Sequence, residues 1–263
     1  MSEPSLRGRC ALVTGSTAGL GLAIAAELAK SGARIILHAL RDDDTARQAR
    51  DSLARQGADV LFYAADLNDV DQIEAMAANA QRAADGVDIV VNNAVVRHFH
   101  PAHALPRRDW DEALAVNLSA PFHLARLCIP GMRAKGWGRI INISSVYGAG
   151  ATPDRVGYIT TKTALIGLSR ALAVETAPHG ITCNAVAPGT VPTPAITARI
   201  AAIASEQGIT EQQARHDYLA ARQPTGRFVA MQHVAALIGF LCSDAGADIT
   251  GAVLPIDGGW TAT

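Results

Sequence analysis

Short, almost wholly apolar runs alternate with longer alanine-rich stretches from Arg9 to about residue 187. The runs Cys10–Val13, Arg34–His38, Val60–Tyr63, Val87–Val91, Arg139–Ile143, Ile181–Val186 and Ala252–Ile256 are predicted strands. They are apolar throughout rather than at every second position, which marks strands covered on both faces and hence a parallel sheet. Helices fill the gaps, among them Leu20–Ser31, closed by Gly32, and Asp69–Ala84, capped by Asn68 or Asp69. The alternation predicts one α/β domain over residues 1–263: a single doubly wound parallel sheet of the Rossmann type with helices on both faces. Thr190–Phe228 breaks the rhythm. It opens Thr-Val-Pro-Thr-Pro, continues as two short polar helices, and is expected to form a helical substrate lid.

Composition narrows the function. With 49% hydrophobic residues the chain can bury a large core, and a net charge of −1 gives no general attraction for nucleic acid or anionic lipid. A charged ligand must be met locally. The opening Met1-Ser-Glu-Pro-Ser-Leu-Arg-Gly lacks an apolar stretch suited to export, and no run approaches the roughly 18 apolar residues of a membrane span, so a cytoplasmic protein is expected. Cys10, Cys128, Cys183 and Cys242 lie far apart in apolar contexts, as reduced core thiols do.

Thr14-Gly-Ser-Thr-Ala-Gly-Leu-Gly21 follows the first strand and opens the first helix, which suits a pyrophosphate facing backbone N–H groups and the positive end of the helix dipole. Gly15 permits the tight turn, Gly19 allows close approach of phosphates, and Gly21 lets the helix pack closely. Asp66, at the end of the third strand, suits either the adenine amino group or a helix N-cap. Tyr158 and Lys162 are four apart and share one helix face, where a cation can act on a phenol. A free phenol titrates near 10. Lowering it by about 3 units takes roughly 4 kcal/mol of preferential phenolate stabilisation, within reach of an ammonium and an oxidised nicotinamide ring. His98, His100 and His103 cluster, but no Asp, Glu or Cys joins them in that segment, and no metal is expected.

These features together resemble the short-chain dehydrogenase/reductase family over nearly the whole chain. The likeness is carried by Thr14 to Gly21, Asp66, Asn92-Asn93-Ala94, Asn117, Ser144-Ser145, Tyr158-x-x-x-Lys162, Pro188-Gly189 and Asp257-Gly258-Gly259. Val95 departs from it, standing where the family usually has Gly. The resemblance implies an enzyme in which Tyr158 is the base or acid, Lys162 tunes it and holds the nicotinamide ribose, Ser145 binds the substrate oxygen and Asn117 holds a relay water. It also implies a dinucleotide held by Gly15, Thr17, Gly19, Leu20, Gly21, Arg41, Asp66, Leu67, Asn93, Pro188, Gly189, Val191 and Thr193. A homotetramer assembled through the helices bearing Asn117 and Tyr158 is implied as well.

Within the family the chain is most similar to bacterial (R)-3-hydroxybutyrate dehydrogenases. Where those enzymes grip a carboxylate with Gln, His, Lys and Gln, this chain has Arg97, Tyr147, Arg155 and Arg199. Thr190 replaces a Trp, while Trp260 is kept. Gly136 and His179 stand where carrier-protein reductases of the family commonly place Arg, which argues against fatty-acid elongation. The resemblance thus implies a small anionic secondary alcohol or ketone, such as a 3-hydroxy acid or hydroxy-sulfonate, with Arg155 and Arg199 clamping its charge. A polyol or sugar dehydrogenase and a non-catalytic dinucleotide sensor are the alternatives. NAD is expected over NADP: Leu40 stands where an Asp would chelate the adenosine ribose and Arg41 suits a 2′-phosphate, but Asp42, Asp43 and Asp44 would repel that phosphate, Ala18 supplies no second cation, and the resembling hydroxybutyrate enzymes use NAD.

Overall fold

The computed structural model describes residues 6–263; Met1–Ser5, on which part of the reading of the N-terminus rests, lie outside the described residues. In chain order the elements are β1 (Cys10–Val13), α1 (Gly19–Lys30), β2 (Arg34–Ala39), α2 (Asp44–Arg55), β3 (Val60–Ala64), α3 (Val70–Ala84), β4 (Ile89–Asn92) and α4 (Arg107–Leu114). They continue with α5 (Ala120–Lys135), β5 (Gly138–Ile143), α6 (Val156–Thr176), β6 (Ile181–Pro188), α7 (Pro194–Gln207), α8 (Glu211–Ala220), α9 (Met231–Cys242) and β7 (Val253–Ile256). The strands pair in parallel in the order β3-β2-β1-β4-β5-β6-β7. The order reverses between β1 and β4, and in such sheets the crevice beyond the carboxyl ends at the reversal is where ligands bind.

The all-apolar strands are explained by their cover. Ile35, Leu37, Val91 and Ile143 face one cluster with Ile24 and Leu28 of α1, Leu53 of α2 and Ile238 of α9. Leu12, Ile36, Val90 and Ile140 face the other, with Met76 of α3, Leu124 of α5 and Leu172 of α6. Helix ends follow their local chemistry. Asp69 caps α3 by accepting from Asp71 and Gln72 N–H, and Gly32, just past α1, takes a φ of +92°. The fourth strand begins two residues later than its apolar run, at Ile89. Asp88 before it is 1% exposed and accepts from Cys10 N–H at 2.9 Å while pairing with Lys135 Nζ at 3.0 Å.

The segment Thr190–Phe228, expected to form a lid, differs from expectation in one respect. Helix α7 is amphipathic rather than polar, burying Ile200 and Ala204 against Ala214 of α8 in a small cluster of their own. Its stems are joined at the base: Val229 N–H donates to Thr190 C=O at 2.9 Å, and wholly buried Gln223 accepts from Thr190 N–H and donates to Arg227 C=O. Among the described residues no helix is long and apolar enough to cross a membrane.

Candidate active site

A cleft of about 470 Å3 opens at the carboxyl ends of the strands, across the β1/β4 reversal. One end is the glycine turn. Helix α1 starts at Gly19 with no side-chain cap, so its first amide groups lack an internal acceptor and an anion could take them. Gly19 stands at a φ of +55°, and a side chain at Gly21 would collide with the Gly15 carbonyl. Only glycine leaves that cradle open. Thr17, Leu20, Asp66, Leu67 and Asn93 line the same cleft, as do Pro188, Gly189, Val191 and Thr193. Asp66 is not the cap of α3; its carboxylate accepts from Asn68 N–H at 2.9 Å.

The other end holds the reacting side chains. Strand β5 delivers Ser144 and Ser145, and α6 presents Tyr158 and Lys162 one turn apart toward them. Lys162 is 3% exposed, and its Nζ donates to Ile143 C=O at 2.6 Å. Burial lowers its pKa to about 8, against the opposing pull of Tyr158. Burial alone would raise the Tyr158 phenol; the charges of Lys162 and Arg97 and hydrogen bonds from Ser145 and Arg97 outweigh it, and the phenol sits below its ordinary value. Ser144 donates to Lys162 C=O at 2.8 Å and so fixes the main chain behind the pair.

Asn117 sits in a single π-helical turn, Ala115–Ser119, between α4 and α5. It is 1% exposed and does not line the cleft. Its Oδ1 accepts from Val96 N–H at 2.9 Å and its Nδ2 donates to Val96 C=O at 3.0 Å, so the side chain braces the loop after β4.

The expected substrate grip is only partly assembled. Arg97 lines the cleft with its guanidinium 5.3 Å from the Tyr158 ring centre. Arg155 does not. It lies over Phe99 at 4.8 Å and Tyr147 at 5.5 Å, because His100 and Arg155 form a parallel bridge that brings the Phe99 loop beneath it. Arg199 faces outward on α7, with Glu206 at 3.4 Å, so the two arginines form no clamp in this conformation. Tyr147 stacks edge-on against Tyr158 and Trp260 as a wall behind the cleft, and Thr190 is buried in the lid stem. Arg41 is exposed outside the cleft.

Two expectations about charge need correction. Asp42 and Asp44 are paired with Arg50 and Arg47, and Asp43 caps α2, so their charges are largely compensated. The histidine cluster is joined by carboxylates after all: His98 lies 2.8 Å from Glu112 and 3.5 Å from Asp109, which is also 3.4 Å from His100. Sequence distance hid this, since α4 brings those acids in from outside the segment. Among the described residues no group of three or more such side chains is placed to hold a metal ion. His38, Glu112 and Val95 also line the cleft; a histidine ending an otherwise apolar strand was the available signal for the first.

A family model described as enoyl-(acyl carrier protein) reductase matches residues 15–261. D-beta-hydroxybutyrate dehydrogenase of Cupriavidus necator is 41% identical over 98% of this chain and 99% of its own. The protein of that name from Rhizobium meliloti is likewise 41% identical, over 97% of this chain and 99% of its own. The structure of L-sorbose reductase from Gluconobacter frateurii, complexed with NADPH and L-sorbose, is similar with a TM-score of 0.94 at 30% identity, each chain covered in full.

Proposed function

Since the chain belongs to the short-chain dehydrogenase/reductase family of oxidoreductases, we propose that it moves a hydride between a nicotinamide dinucleotide and a small secondary alcohol or ketone bearing a negative charge, a hydroxy acid foremost. Bound in the cleft, the nicotinamide supplies the hydride acceptor or donor. Tyr158 takes the alcohol proton in oxidation and returns it in reduction, Ser145 orients the substrate oxygen, and Lys162 holds positive charge beside the phenol. Asn117 keeps the loop after β4, and with it Arg97, in place. The single observation behind an anionic substrate is Arg97, a guanidinium in the same cleft as Tyr158.

A screen of cofactor reduction with 3-hydroxy acids, hydroxy-sulfonates and uncharged polyols tests this. Fastest turnover on a polyol would defeat it in favour of a sugar dehydrogenase, a reading supported by the likeness to L-sorbose reductase and by the positions of Arg155 and Arg199 outside the cleft. No turnover on any alcohol, with dinucleotide still bound, would favour the sensor.

NAD is the proposed cofactor. The charged residues lining the cleft are Asp66, Arg97, Glu112 and Lys162, and both cations lie at the reacting end. At the β2 end the cleft is lined by Leu40 and neutral His38, and the exposed Arg41 stands outside that lining. A kcat/KM for NADP equal to that for NAD would overturn this choice. The proposed assembly is a homotetramer through α5 and α6, supported by exposed Phe122 and Val174 on those helices; light scattering that gives a monomer mass would refute it.

A further inference from the structure

We infer that His38 is a positioning residue for the dinucleotide, tying the phosphate turn to the adenine loop through its two ring nitrogens. The inference rests on the cleft being a dinucleotide site, as proposed above. His38 is 3% exposed at the end of β2. Its Nδ1 accepts from Gly15 N–H at 3.1 Å, and its Nε2 lies 3.1 Å from Ala65 C=O. A carbonyl can only accept, so Nε2 carries the proton and Nδ1 is the bare acceptor that Gly15 requires. One tautomer satisfies both partners.

The consequence is geometric. Gly15 opens the glycine turn, and Ala65 immediately precedes Asp66 and Leu67 at the opposite end of the dinucleotide half of the cleft. A rigid imidazole between them sets the distance from the pyrophosphate cradle to the adenine pocket. The backbone ties the same point: His38 N–H donates to Ser16 Oγ at 3.0 Å, and Ser16 N–H donates to His38 C=O at 2.9 Å. With the Gly15 amide occupied by the ring, phosphate is left to the uncapped amides at the start of α1. The side chain is therefore neither a phosphate ligand nor a participant in proton transfer.

The test compares His38→Phe, which fills the volume without the hydrogen bonds, with His38→Asn, whose side-chain oxygen can replace Nδ1. Dissociation constants for NAD and NADP by calorimetry, and KM and kcat on the best alcohol, are measured for both variants and wild type. Expected for His38→Phe is a roughly tenfold weaker dinucleotide Kd and KM with kcat within about twofold, the effect of losing one net hydrogen bond of pre-organisation. His38→Asn should recover most of the affinity. Unchanged affinity in His38→Phe would overturn the inference. So would a fall in kcat with KM unchanged, or equal losses in both variants that follow their loss of thermal stability. Wild-type protein that binds neither dinucleotide would instead refute the cofactor reading, and this inference with it.

Discussion

Lys162 donates to the main-chain carbonyl of Ile143 over 2.6 Å, so the ammonium is anchored to the end of β5 rather than to the phenol it influences. The charge stays beside Tyr158 whether or not the phenol is ionised, which is what a base tuned in advance requires. Tyr158→Phe should therefore lower kcat by roughly 10²–10⁴, the usual worth of a positioned acid or base, while dinucleotide affinity stays within about twofold. Steady-state kinetics beside calorimetric cofactor titration reads both. Retention of more than a few per cent of kcat would take Tyr158 out of its role.

Arg97 is the second cation near that phenol. Replacing it by Met removes a charge that favours phenolate, so the acid limb of the oxidation kcat/KM profile should move to higher pH. For an anionic substrate the same variant should lose about 2–4 kcal/mol in kcat/KM, as when one member of a desolvated charge pair is truncated, with little loss for an uncharged analogue. Equal losses on both substrates would count against an anion grip.

The His38 ring gives stability a pH dependence. Burial lowers its pKa from 6.5 to about 4, the Ala65 contact opposing this only in part. The unfolded chain binds a proton in that interval that the native state refuses, so the contribution is complete above pH 6.5 and is lost as pH falls toward 4. The full effect is roughly 3 kcal/mol. Denaturant unfolding of wild type and His38→Asn at pH 7 and pH 4.5 isolates it. The variant should lose less stability on acidification; parallel losses would assign the slope to other groups.

Gln223 joins the two stems of the lid with one buried amide. Gln223→Leu strands the Thr190 N–H and the Arg227 carbonyl, each costing about 1–3 kcal/mol if left unpaired. A destabilisation of at least about 2 kcal/mol is expected, with substrate KM raised more than cofactor KM. An unchanged melting temperature would show that the stems are held elsewhere.

The strands were legible because burial on both faces leaves a signal in every residue of a run, and the glycine turn because only glycine fits at Gly19 and Gly21. The pairing of Tyr158 with Lys162 followed from their spacing on one helix, and Ser145 from the family resemblance. What local pattern could not supply was direction across loops. Arg155 is drawn onto Phe99 by a bridge between segments more than fifty residues apart, and Asn117 turns its amide to a loop twenty-one residues upstream. His98 and His100 meet their carboxylates only when α4 folds back. Each depends on a tertiary contact with no period of its own. Residues next to the chemistry could be read; those held at one remove could not.

Helices α7 and α8 bury their apolar faces chiefly in each other and return to the sheet through one narrow stem. Such a unit can be exchanged between relatives as a cassette, because grafting it disturbs neither the glycine turn nor Tyr158 and Lys162. Divergence of substrate range can then proceed by replacing this appendage while the redox half of the molecule stays unaltered. A chimaera carrying a sugar reductase's segment on this chain's stem would put that exchange to the test.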